Sequence, residues 1–174
     1  MKPINNFDSI QPAGNFERPG AGGYVCIIRH VEDNPEKEFL HLEFDIAEGR
    51  WNGYAAETAE RAGFWPLRCN RFYGPKGVGF FKAFIDAVQA TNKGFKWTWN
   101  EQSLVGKGVG IVFREEEYMG RDGQIRKSIA PFEFTTAAKI RAGEFTVPPP
   151  KTINPAAVPA PATFLDDDGG ELPF

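Results

Sequence analysis

The sequence is short of the residues that most catalytic and metal centres require. It has two cysteines, Cys26 and Cys69, and two histidines, His30 and His41. Two thiols do not make a disulfide framework, so a reducing cytoplasm is the expected compartment. On a strand, Cys26 and His30 share a face but stand about 13 Å apart, too far for one metal ion. No apolar run reaches the length of a membrane span, and the start, MKPINN, lacks the apolar stretch of a secretory leader. No nucleophile has its base nearby in the pattern, and neither glycine cluster has the spacing of a nucleotide-binding fingerprint. No enzyme activity, metal or cofactor is therefore expected.

What the chain does have is aromatic mass and a segregated charge. Its 174 residues include sixteen Phe and four Trp, enough apolar area for one domain with its own core. The overall net charge of −3 hides a strong asymmetry. Residues 1–60 carry five Lys/Arg against eleven Asp/Glu, whereas residues 61–100 carry seven Lys/Arg against Asp86 alone. An acidic average therefore leaves room for a polyanion ligand in the middle of the chain.

The element order follows from the periodicities. Residues 1–22 read as an irregular arm. Tyr24–Val31 reads as a strand buried on both faces, and 39–46 alternates with Leu40, Leu42, Phe44 and Ile46 inward, so the two form a hairpin. Residues 54–61 suit a short helix or loop. A strand follows within 64–73, where Pro66 calls for an edge position or a late start. The clearest helix covers about 77–90, with Phe80, Phe81, Phe84, Ile85 and Val88 on one face. If residues 95–99 are extended, Phe95, Trp97 and Trp99 share a face. Leu104–Phe113 reads as a strand stripped at Gly106, Gly108 and Gly110, which suits a barrel bend, a closely packed helix or a ligand backbone. Arg121-Asp122-Gly123 makes a hairpin turn, a last strand runs over about 131–140, and 144–147 offers an edge. Strands, one principal helix, then more strands is the order of a five-stranded OB-fold-like barrel in a mostly β domain spanning 1–147.

Residues 148–164 hold six prolines and little charge, a composition that stays extended, so they read as a linker. The tip, 165–174, expected to be disordered, places Asp166, Asp167, Asp168 and Glu171 before Leu172, Pro173 and Phe174. Acids that cannot bury together, followed by an apolar plug with its own carboxylate, have the build of a peptide that docks on a protein partner. A plain solubilising tail is the simpler reading of the same acids.

The midsection is where binding is expected. Trp65, Arg68, Arg71, Phe72, Tyr73 and Lys76 fall within twelve residues, preceded by Trp51 and followed by Lys96, Trp97, Trp99 and Lys107. Bases stack on aromatic rings at about 1–3 kcal/mol each while Lys and Arg neutralise phosphates, so this mixture suits a single strand of any sequence. About half of these rings are expected to be core rather than groove. The turn 74–79 ahead of the helix could hold one phosphate.

The acidic tip ending in Leu172-Pro173-Phe174 resembles that of bacterial single-stranded-DNA-binding proteins, although Gly169-Gly170-Glu171 intervenes and Leu stands where Ile is usual. The body is more similar to the single-stranded-DNA-binding proteins of phages and prophages, through Gly22-Gly23-Tyr24-Val25, the stretch 44–49, Leu104-Val105-Gly106-Lys107, Arg114–Tyr118 and the stretch 140–145. That resemblance implies protection of single-stranded DNA during phage replication, recombination or repair, with partner enzymes recruited through the tip. Two rival readings are a carbohydrate-binding barrel, since Trp-lined grooves also stack sugars, and a phage structural or assembly protein.

Overall fold

The computed structural model describes residues 1–10 and 17–154. Five strands form one antiparallel sheet: β1 (Gly22–Asn34), β2 (Phe39–Ile46), β3 (Arg68–Phe72), β4 (Gly108–Met119) and β5 (Ile125–Thr135). Their order across the sheet is β3-β2-β1-β4-β5. Three helices accompany them: α1 (Tyr54–Ala62), α2 (Val78–Thr91) and α3 (Ala137–Arg141). The expected linker beyond 154 and the whole tip, from Asp166 to Phe174, lie outside the described residues.

β1 is long enough to serve two neighbours. Cys26–Asn34 pairs with β2, and Gly22–Ile27 pairs with β4. A bulge between Ile28 and His30 breaks the alternation, so Cys26 is buried while His30 faces solvent. The two do not share a face as strict alternation would have it. The sheet then curls around α2. Phe44 of β2 and Phe134 of β5 come within 5.6 Å, and Phe84 of α2 meets Phe134 at 5.0 Å. All three rings are buried, and truncating one such ring to Ala typically costs about 3–5 kcal/mol. The outer strands β3 and β5 face each other, but no ladder joins them among the described residues. The sheet stays open along that seam.

Asp45 is the one fully buried carboxylate among the described residues. Its Oδ1 accepts the Ile46 and Ala55 amides, both at 2.8 Å, and Oδ2 accepts the Ala56 amide at 3.2 Å. α1 starts at Gly53, which has no side chain to cap it. Asp45 supplies the cap from the neighbouring strand and places its charge at the positive end of the helix.

Several expectations are corrected. Residues 95–99 form no strand, because their backbone groups are taken by the end of α2. Asn92 O accepts the Phe95 amide and Gln89 Oε1 accepts the Trp97 amide. The strand expected from Leu104 begins only at Gly108, because 101–104 closes a tight 3-10 turn and Gly106 sits at a φ of 81°. The last strand ends at Thr135, where the chain turns into α3 with Thr136 as its cap, and 144–147 adds no edge to the sheet. At position 110 the packed helix is what requires glycine. A Cβ there would lie 2.6 Å from Ile140 Cγ1 and from the Thr136 carbonyl oxygen, so the missing side chain lets α3 pack onto β4. The first part of the linker is also not free. Lys151 bridges to the exposed edge of β4, donating its amide to Glu115 O and accepting from the Glu117 amide, both at 2.9 Å.

Candidate nucleic-acid interface

Strand β3 lies at one edge of the sheet and starts only after Pro66, so five residues are all it contributes. Its outward side chains are Arg68, Asn70 and Phe72, paired across β2 with Glu43, His41 and Phe39. Phe39 and Phe72 pack edge to face at 5.3 Å. His41 Nδ1 donates to Asn70 Oδ1 at 2.8 Å, and its Nε2 lies 3.6 Å from Glu43. The row thus runs from a charged end, Glu43 beside Arg68, to an aromatic end at Phe39 and Phe72.

At the aromatic end the turn 74–77 leads into α2. A Cβ on Gly77 would lie 2.4 Å from the Phe72 carbonyl oxygen, so glycine is what presses this turn against the end of β3. Two adjoining clefts result. One of about 280 Å³ is lined by Asn70, Arg71, Phe72, Lys76, Gly77 and Phe80. Its neighbour, about 330 Å³, shares Phe72, Lys76 and Gly77 and adds Lys37, Glu38, Gly74 and Pro75.

Cations without a carboxylate partner are dense along this stretch, although Lys2, Arg18, Arg29, Arg121, Lys139 and Lys151 elsewhere also have no carboxylate within 4 Å among the described residues. Arg50, Arg114, Arg126, Lys127 and Arg141 each pair with a carboxylate, as does Lys82 with Asp86 along α2. Among the described residues, Arg68, Arg71, Lys76, Lys93, Lys96 and Lys107 have no carboxylate within 4 Å. Arg71 is the extreme case. Its stem lies on the core side of β3, its guanidinium stacks 4.2 Å above the Phe134 ring, and its shielded Nε has no acceptor. Burial pulls its pKa below the usual arginine value, but a guanidinium still keeps its charge at neutral pH.

The aromatic residues expected in the groove divide by burial. Trp65 is braced by its Nε1, which donates to Phe44 O at 2.7 Å, and it packs on the core. Tyr73 donates its hydroxyl to Asp33 Oδ1 at 2.8 Å and packs against Phe81. Trp97 is wedged against Phe81 at 6.2 Å. Trp51 is half-buried against Tyr54, with Arg50 stacked over it. These four brace the fold. The rings left to solvent are Phe72, 50% exposed, and Trp99, 80% exposed. Lys96 is exposed, and Lys107 lies 5.0 Å over the Phe95 ring. The structure therefore gathers Arg71, Phe72 and Lys76 at one cleft, leaves Arg68 along the strand, and sets Lys96, Trp99 and Lys107 on the segments after α2.

Phe80, expected on the core face of α2, is 70% exposed. The same flank of the helix buries Ala87 two turns later, but at the first turn it looks into the cleft. The one sequence signal for this placement is position, three residues past the glycine that starts the helix. Asn70 and Lys37 also line these clefts and carry no sequence signal.

No group of three metal-ligating side chains comes together among the described residues, and no helix there is long and apolar enough to cross a membrane. Comparison with protein-family models and with curated proteins finds no match to this chain.

Proposed function

We propose that this protein binds single-stranded DNA without sequence preference. The observation that carries the reading is the density of cations without carboxylate partners on β3, the following turn and the segments flanking α2, interleaved with the exposed rings of Phe72, Phe80 and Trp99. Cations free of carboxylates can neutralise phosphates and release the counterions held on a strand, and exposed rings stack any base. The strand order, the helix between β3 and β4, and the side-chain contact of Arg71 with Phe134 across the remaining seam support an OB-fold barrel, a fold whose second and third strands commonly receive oligonucleotides. On this reading the protein protects single strands during phage replication, recombination or repair in the bacterial cytoplasm. The acidic tip around Asp166 and Phe174 then captures the partner enzymes. A carbohydrate ligand leaves Arg71 and Lys76 unused.

Titration of tryptophan fluorescence with oligo-dT at increasing salt tests the binding. Affinity should fall steeply, with a log–log slope of about −0.7 for each phosphate neutralised on a single strand. No binding, or binding indifferent to salt, overturns the reading. Removing Leu172 to Phe174 should leave oligo-dT affinity intact or raised while abolishing capture of replication and repair enzymes.

A further inference from the structure

We infer that the cleft between β3 and α2 is a pocket for one nucleotide, its phosphate held by Arg71 and Lys76 and its base stacked on Phe72 and Phe80. The inference rests on the single-strand reading for its natural ligand and names the position where the strand is anchored.

Four features meet there. Arg71 brings a guanidinium whose stem is fixed in the core side of β3 opposite Leu40 and whose face is held on Phe134. Its Nε is shielded and finds no acceptor in the protein. That shielded nitrogen is out of a ligand's reach, but the guanidinium has no carboxylate partner and lines the cleft, and phosphate oxygens are what a guanidinium fork accommodates best. Lys76 stands on a turn that Gly77 locks against the end of β3, so the second cation is held beside the first. Phe72 is backed edge-on by Phe39 and is still half exposed. Phe80 projects from the first turn of α2 with most of its surface in solvent. Two cations would suit any anion. Two open aromatic rings beside them select one carrying a flat apolar group, which is a nucleotide.

The minimal ligand is a nucleoside monophosphate, so the full chain can be tested with dTMP, thymidine and inorganic phosphate, and separately with oligo-dT. dTMP should raise the melting temperature more than thymidine or phosphate alone, and Arg71→Gln and Lys76→Gln should each remove that gain. With oligo-dT, Phe80→Ala should lower affinity by about five- to 150-fold, the range of one lost stacking contact. Arg71→Gln should make the salt slope shallower by about 0.7. Should Arg71→Gln fail to fold, Arg71→Lys, which keeps the charge and loses the fork, takes its place beside the exposed Phe80→Ala and should likewise remove the dTMP gain. Parent affinity for oligo-dT in Phe80→Ala and Lys76→Gln would overturn the pocket and leave the single-strand reading standing. Binding of dTMP that depends on Arg71, without binding of oligo-dT, would uphold the pocket and overturn that reading.

Discussion

The rings of Trp97 and Trp99 lie 6.1 Å apart, yet the first is wedged against Phe81 and the second stands in solvent. Trp99 also has a backbone φ of 60°, in the left-handed region. A bulky residue held there costs about 1–3 kcal/mol, and such cost persists where a side chain has work to do. Trp99→Gly should therefore fold with stability equal to or up to about 1 kcal/mol above the parent, since relieved strain outweighs the added freedom of the unfolded chain. The same variant should lose about 1–3 kcal/mol of oligo-dT affinity. Urea unfolding and oligonucleotide titration on one preparation check both halves.

Arg71 has the same divided character. Replacing it with Met keeps the length of the stem and removes a half-buried charge that has no carboxylate partner. The relieved desolvation offsets the lost stacking on Phe134, so Arg71→Met should stay within about 1 kcal/mol of parent stability in urea unfolding. Its affinity for oligo-dT should fall at every salt concentration, most of all at low salt.

Asp45 carries structure alone. Asp45→Ala leaves three amides without their acceptor, two of them at the start of α1, and should cost about 3 kcal/mol or more in urea unfolding. Asp45→Asn retains one acceptor oxygen and should cost less. Neither should alter the salt slope of oligo-dT binding in the folded protein.

Burial pushes the Cys69 thiol from 9.0 up to about 11 and drives the Cys26 thiol higher still. Burial and the hydrogen bond to Asp33 push the Tyr73 hydroxyl from 10.0 up to about 12. Raised values mean that the folded chain holds these protons more tightly than the unfolded one. Their contribution is intact below about pH 9 and is lost as pH climbs through the folded values, so stability should decline from about pH 9 upward. At about pH 8 a thiol-alkylating reagent should modify the native chain far more slowly than the urea-unfolded chain.

Much of the sheet was legible because alternation and turn chemistry are local. Phe39–Ile46 reads inward and outward without help, and Arg121-Asp122-Gly123 gives the hairpin, with Asp122 Oδ1 accepting the Gln124 amide. α2 lies within one residue of its predicted limits. What the sequence hid depends on distant neighbours. Asp45 sits in an outward slot of the alternation and is buried because α1 arrives above it. Residues 95–99 alternate like a strand, but the end of α2 takes their amides first. Composition points to the midsection as the place where cations outnumber acids, and cations without carboxylate partners do gather there. It does not distinguish Trp65 and Tyr73, tied down by hydrogen bonds, from Phe72 and Phe80, because solvent exposure is a property of the packed chain.

α3 lies over the glycine at 110, and Ile140 and Phe145 fill the space that a side chain on Gly23 would need. With Val25, Val112 and Ala137 they make a small second core on the opposite side of β1 and β4 from α2, and Arg141 pairs with Glu48 to hold it in place. The last strand is therefore not the last indispensable element. A fragment cut at Thr135 would strip this second core and expose Val25 and Val112, whereas one ending just past Phe145 keeps it whole. The place to sever body from tail is set by what rests on two bare patches of backbone.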